Sequence, residues 1–337
     1  MMESNIRDFI KFVSNKSILI TSHISTDIDG FASAFVLKFF FTSFYPDNRC
    51  FLYLPQLSKH TKQFIEKILS QFQDFNFKSE TVKDLSNIDL IVILDTNNLD
   101  QVELPPSIDA AGLKIPVVFI DHHVELHREY PMVLDRLNLV YEDYSSTSEI
   151  IYEICKQSNL HLNKLQKHLL TAAILTDSGR FKHGNNSTIH NVSELVGDDL
   201  NFQDVILDLK YEKDLSEKIA TIKAVQRVKI IKENEWLIGV SNVSSFEARA
   251  ARSLISIGFD VGIVYSEKKS KFRISSRANE KVCTKTNLHL GKILDHLSKE
   301  FNASGGGHDG AASLNGKEGL TLILDEFLGE IKAILSQ

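Results

Sequence analysis

Short, wholly apolar runs alternate with stretches of helical spacing through the first half of the chain. Ser17–Thr21 (SILIT), Cys50–Leu54, Leu90–Leu94 (LIVIL) and Pro116–Ile120 (PVVFI) read as strands, with Gly30–Phe44 and Lys59–Phe72 as the first helices. Continuous apolar runs suit strands buried on both faces of a parallel sheet, because a half-exposed strand would alternate. From Thr147 the spacing turns helical, over Ser148–Cys155, Leu165–Leu175 and Leu215–Ile231, the last as a long solvated helix bridging two domains. A second unit follows, with strands at Trp236–Val240, Val261–Tyr265 and Lys271–Ser275. Its helices are Phe246–Ile257, Asn287–Leu297 and Thr321–Leu335, with a glycine-rich turn before the last. Strands alternating with helices predict an α/β fold in two domains. The first, residues 1–190, has a mostly parallel sheet flanked by helices; residues 191–234 form a helical connector; residues 235–337 form a smaller α/β domain. A length of 337 residues fits this count at about 150 residues per domain.

Charge narrows the partners. The net charge is −6 and the pI about 6.1, whereas a protein that holds long duplex through many phosphates usually carries a basic stripe. Cys50, Cys155 and Cys283 stand far apart with no C-x-x-C pair, so they read as buried, inert thiols in a reducing cytoplasm. The apolar stretch Phe31–Phe44 is too short to span a bilayer and contains Lys38, and no secretory signal is visible. The expectation is a cytoplasmic protein without a membrane partner.

Chemistry-bearing residues gather at the ends of the expected strands. His23, Asp27 and Asp29 follow the first; Asp95 follows Leu90–Leu94; Asp121-His122-His123 follow Pro116–Ile120; Asp177 lies in T-D-S-G-R-F after a helix. Each alone has a plain reading as turn chemistry, and Asp29 could simply cap the next helix. Together they put carboxylates and imidazoles where ligands gather in open α/β sheets, beyond the carboxyl ends of the strands. Mixed His and Asp donors without cysteine suit a divalent transition ion such as Mn, Co or Zn. Four aspartates and two histidines suit two ions sharing one carboxylate, an arrangement that hydrolyses phosphate esters. In the second unit, Ser275-Ser276-Arg277 and Gly305-Gly306-Gly307-His308 offer a guanidinium and a close-approach backbone for a phosphate.

This ordered set resembles the DHH phosphoesterases with a DHH-associated C-terminal domain. His23, Asp27 and Asp29 match the family's first motif, Asp95 its lone strand-end aspartate, Asp121-His122-His123 its name motif, Asp177 with Gly179 and Phe181 its fourth, and Gly305–His308 its C-terminal G-G-G-H. The resemblance implies that His23, Asp27 and Asp95 hold one ion and Asp29, Asp95, His122 and Asp177 the other, with Asp95 bridging. It further implies that Asp121 orients the histidine pair, that His123 faces the substrate phosphate, and that Arg277, Gly305, Gly306, Gly307 and His308 bind the far end of the substrate. The catalytic residues implied are Asp95, His122 and His123. The usual family metal is Mn²⁺, with Co²⁺ or Mg²⁺ as substitutes. Ser178 stands where the family often has Thr, and Ser313 where a glycine is common. Chains of this size are similar to the nano-RNases, which degrade short oligoribonucleotides and act on 3′-phosphoadenosine 5′-phosphate. Short oligonucleotides or small nucleotides are therefore the expected partners, with no long duplex and a homodimer allowed. A RecJ-like single-strand exonuclease and a non-catalytic replication scaffold are the competing readings.

Overall fold

The computed structural model describes residues 2–73, 75–80, 82, 85–105, 113–124, 130–269 and 271–336. The chain divides into two compact units, Met1–Glu212 and Lys213–Gln337, with the boundary inside the span 191–234 that the spacing reads as a connector.

Unit 1 is built on five strands, β1 (Ser17–Ser22), β2 (Arg49–Leu52), β3 (Leu90–Leu94), β4 (Val117–Asp121) and β5 (Leu139–Val140), in the order β2-β1-β3-β4-β5. All four pairings are parallel. The helices are α1 (Met2–Phe12), α2 (Ile28–Phe44), α3 (Lys59–Gln71), α4 (Thr147–Gln157), α5 (Lys164–Asp177), α6 (Asn186–Val196) and α7 (Phe202–Asp208). Successive residues of β3 explain why its run is unbroken. Val92 and Leu94 join a core shared with α2, α4 and α5, while Ile91 and Ile93 join a second core on the opposite face. Helix α2 is apolar over most of its surface because it is packed on several sides: Phe31, Leu37, Phe40 and Phe41 are all fully buried. Each such side chain contributes about 1.5–3 kcal/mol by leaving water.

Unit 2 starts with α8 (Leu215–Gln226) and carries six strands: β6 (Lys229–Glu233), β7 (Trp236–Asn242), β8 (Val261–Lys268), β9 (Lys271–Ala278), β10 (Ser304–Gly307) and β11 (Ala311–Gly316). Their order is β10-β11-β9-β8-β7-β6; β7 and β8 pair in parallel, the rest antiparallel. Helix α9 (Glu247–Ser256) packs on one face, while α11 (Leu290–Glu300) and α12 (Leu320–Leu335) pack on the other; α10 (Glu280–Thr286) follows β9.

Two expectations are corrected here. Leu215–Ile231 is not one helix: α8 stops at Gln226 and β6 begins at Lys229. Glu233 pairs with Trp236 around a two-residue turn in which Asn234 has φ +52°, a left-handed conformation that asparagine tolerates well. The hairpin, not helical periodicity, decides the segment. The glycine-rich segment is also not a turn, since Ser304–Gly307 forms edge strand β10 against β11. A Cβ on Gly307 would run into the Ala311 carbonyl and Ala312, and one on Gly291 of α11 would run into the Gly307 carbonyl. Helix and strand approach so closely that side chains are excluded, which is why low strand propensity is overridden.

The three cysteines are unbridged, and burial pushes the Cys50 thiol up to about 11 and Cys155 up to about 12. No helix of the described residues is long and apolar enough to cross a membrane.

Candidate metal centre

The strand order reverses direction between β1 and β3, and the residues that follow these strands meet there. His23 Nε2 lies 3.4 Å from Asp95 Oδ2 and 3.9 Å from Asp27 Oδ1. His122 Nε2 lies 3.6 Å from the other Asp95 oxygen, Oδ1, and 2.8 Å from Asp177 Oδ2. Thus each oxygen of Asp95 faces a different imidazole. The donors fall into overlapping groups, His23–Asp27–Asp95, Asp29–His122–Asp177 and Asp95–Asp121–His122–His123, each with its ligand atoms within 4.8 Å of one another.

Local structure fixes these positions. Asp27, not Asp29, caps α2, its Oδ1 accepting the N–H groups of Asp29 at 2.9 Å and Gly30 at 3.1 Å. Gly30 then passes so close to Asp95 that a Cβ would stand 3.3 Å from its carboxylate and collide with Ser22 Oγ. Asp95 itself has φ +62°, and Ser25, Arg180 and Phe181 around the same loops are also left-handed. Such conformations cost of order 1–3 kcal/mol each and cluster at functional sites.

Asp29 is buried at the start of α4. Its carboxylate accepts the N–H of Thr147 at 2.7 Å and of Ser148 at 2.9 Å, where the helix presents its positive end. The Thr147 hydroxyl donates to Asp95 Oδ1 at 3.2 Å. Asp121 accepts from the His122 N–H at 2.9 Å and the Asn97 side-chain amide at 2.7 Å, and its Oδ1 lies 2.8 Å from His123 Nδ1. It therefore holds the His123 ring and the His122 backbone. Thr147, Ser148 and Asn97 were not singled out in the sequence. Ser146-x-x-Glu149 is a capping-box pattern that marks the α4 start, but nothing local says which carboxylate that start would receive.

His23 Nδ1 lies 2.9 Å from the Ile24 carbonyl, which assigns the proton to Nδ1 and leaves the Nε2 lone pair for the carboxylate side. In the ion-free chain, burial opposes charging of His23, but hydrogen bonds to Asp27 and Asp95 prevail and raise it to about 11. Burial likewise opposes charging of His122, and Asp177 and Asp29 raise it to about 9. Burial and the repulsion of Asp177 push Asp29 up to about 7, while burial and the charge of Asp29 push Asp95 well above the carboxylate range. The cluster holds more negative charge than it can carry alone and retains protons to compensate.

His122 Nε2 is buried and has no hydrogen-bond partner among the described residues, although Asp177 lies 2.8 Å away. The His122 nitrogen and one oxygen each of Asp177 and Asp95 thus crowd one small volume, an arrangement that a divalent cation would suit. The donor set of His23, Asp27, Asp29, Asp95, His122 and Asp177 fits.

The residues singled out in unit 2 come together by strand register. Arg277 pairs with Ala311 across β9 and β11, and the His308 N–H donates to the Ala311 carbonyl at 2.8 Å. Arg277 is half-buried, and one of its N–H groups bonds the Ser276 carbonyl at 2.8 Å; His308 is exposed. Gly305 and Gly307 are required by packing, whereas Gly306, with φ +149°, has open space on its Cβ side.

Residues 17–176 match the DHH family N-terminal domain and residues 247–337 match the DHHA1 domain. An uncharacterized protein of Methanocaldococcus jannaschii is 28% identical over 341 residues, covering 96% of this chain and 98% of that protein. The crystal structure of an exopolyphosphatase-related protein from Bacteroides fragilis aligns with a TM-score of 0.72 at 20% identity, over 99% of this chain and 98% of that one. RecJ from Thermus thermophilus in complex with Mn²⁺ aligns with a TM-score of 0.50 at 11% identity, over 99% of this chain and 54% of that one. At these identities the likeness is one of fold.

Proposed function

Because the chain belongs to the DHH family, we propose that it is a two-metal phosphoesterase that hydrolyses short oligonucleotides and small nucleotide phosphates with Mn²⁺. The observation that carries this reading is Asp95, one oxygen toward His23 and the other toward His122, so that one carboxylate would serve both groups of donors. His23, Asp27 and Asp95 would hold one ion; Asp29, Asp95, His122 and Asp177 the other. When bound, the ions would supply Lewis acidity to a phosphate ester and would lower the pKa of an attacking water.

The chain's own groups do the positioning. Helix α4 and Thr147 fix Asp29 and Asp95 before any ion arrives, which avoids reorganisation when it does. Asp121 accepts the His123 Nδ1–H, which orients the ring so that Nε2 faces the substrate and, when it carries a proton, can donate it to a phosphate oxygen. Arg277 and His308 hold the remainder of the substrate, with the guanidinium suited to a bidentate phosphate contact. Few such contacts and a net charge of −6 favour small substrates over long strands.

The test is turnover with Mn²⁺ on dinucleotides, pentanucleotides, long single strands, 3′-phosphoadenosine 5′-phosphate, polyphosphate and pyrophosphate. Dinucleotides and pentanucleotides should be cleaved faster than long strands with matched ends. Faster processive digestion of the long strand would favour the RecJ-like reading, and no turnover of any ester with Mn²⁺, Co²⁺ or Mg²⁺ would overturn the assignment.

A further inference from the structure

We propose that unit 1 holds a second ligand site, for a nucleoside phosphate, at the far end of the helix pair that carries Asp29 and Asp177. A cavity of about 660 Å³ opens there, lined by one face of α2, the first turn of α5 and the segment that follows α3. That size lies within the roughly 300–1,000 Å³ usual for small-molecule sites. Asp29 stands in the first turn of α2 and Asp177 in the last of α5, whereas the cavity uses Phe35–Thr42 of α2 and Asn163–Gln166 of α5. At 1.5 Å per residue the two ends of α5 are about 20 Å apart. None of the candidate metal ligands lines the cavity.

Its lining combines two chemistries. Phe35, Phe39, Phe72, Phe75 and Phe77 form an aromatic wall. These rings are held by neighbours: Phe35 meets Phe75 edge-on at 5.2 Å between centroids, and Phe77 meets the buried Phe31 at 4.9 Å. A fixed wall of this kind receives a planar ring with little ordering cost. Lys38, Lys78 and Lys164 also line the cavity, and no carboxylate does among the described residues, in a chain whose net charge is −6. Lys38 is paired with Glu80, so Lys78 and Lys164, which make no ion pair among the described residues, remain for a ligand. The positive end of α5 adds to their field, and the exposed amides of Gln73 and Asn76 offer hydrogen bonds to a base edge. An apolar ligand has no use for the lysines, and a small inorganic anion has no use for five rings. A nucleoside phosphate uses both.

The experiment is calorimetric titration of the full chain carrying Asp95→Asn, Arg277→Ala and His308→Ala, in EDTA, so that neither the metal centre nor the Arg277 and His308 side chains contribute. The probes are the monophosphates of adenosine, guanosine, cytidine and uridine, with the free nucleosides, inorganic phosphate and dodecanoate as comparisons. One saturable site is expected for at least one monophosphate, about tenfold or more tighter than every comparison probe. Lys78→Gln with Lys164→Gln, two exposed positions whose change a melting curve will show to leave the fold intact, should weaken it by about tenfold or more. Absence of saturable binding for all four monophosphates would overturn the proposal. So would equal affinity for phosphate, nucleoside or dodecanoate, or unchanged affinity in the lysine variant. Since the metal centre is disabled throughout, these outcomes are separate from any failure of the phosphoesterase reading.

Discussion

The two sets of residues that mark this chain are placed in opposite ways. In unit 1 they gather at one edge of the parallel sheet, and the carboxylates at the centre of the group are taken into the interior, Asp29 at 1% exposure and Asp95 at 4%. In unit 2, Arg277 and His308 stand where antiparallel strands pair and keep contact with water. A buried group of carboxylates is costly without countercharge, so the fold itself calls for cations at that place. Arg277 is only half-buried and His308 is exposed, so the fold depends far less on whether these two side chains ever meet a ligand. The first region declares its chemistry through its energetics; the second can declare it only through substrate.

That contrast is broken most directly at Asp95. Asp95→Asn removes the charge that both imidazoles face, and turnover at saturating Mn²⁺ should fall about a thousandfold or more. Wild-type rates would mean that the buried cluster is structural. In unit 2, Arg277→Ala should lower kcat/KM on dinucleotides by about one to two decades, the equivalent of about 1.5–3 kcal/mol, while Mn²⁺ binding by calorimetry stays unchanged. The loss should be smaller on bis(p-nitrophenyl) phosphate, which has no second nucleotide to hold. An equal loss on both would remove the distinction between the two regions.

Thr147→Val probes positioning within the first region. Loss of its hydrogen bond to Asp95 should weaken Mn²⁺ binding by up to about tenfold, with Thr147→Ser restoring it. The smallest expected effect is on pH. His23 and His122 are raised in the ion-free chain to about 11 and about 9, so protons compete with the metal. The Mn²⁺ concentration for half-saturation should rise as pH falls from about 9 toward 6.5, and binding should release protons, visible as a buffer-dependent heat. A pH-independent midpoint would show that these imidazoles are not ligands.

Much of unit 1 was legible because its signals are local. A five-residue apolar run such as LIVIL has little choice but a doubly covered strand, and a polar residue after it falls at the sheet's ligand-binding edge. What was not legible depended on contacts distant in sequence. Asp27 and Asp29 are equally good caps by composition, and only the arrival of Thr147 and Ser148, well over a hundred residues later, settles that Asp29 turns inward. Gly305–Gly307 reads as a turn by propensity and becomes a strand because Gly291 lets α11 approach it. The end of α8 was missed for a different reason: β-branched residues in Lys229–Glu233 satisfy helical spacing over a short window, and the asparagine turn that overrules it lies just beyond.

Asp95 also sets stability and turnover against each other. Its backbone sits at φ +62°, where aspartate is tolerated less well than asparagine or glycine, and its burial and the nearby charge of Asp29 disfavour the ionised side chain. A carboxyl whose pKa rises on folding weakens the fold as pH climbs above the unfolded value, so at neutral pH this residue works against the native state. Asp95→Asn should therefore melt at a higher temperature than the wild type without divalent ions, and the gap should close or reverse as Mn²⁺ is added. The residue proposed to join the two ions is thus one that the ion-free fold would be more stable without.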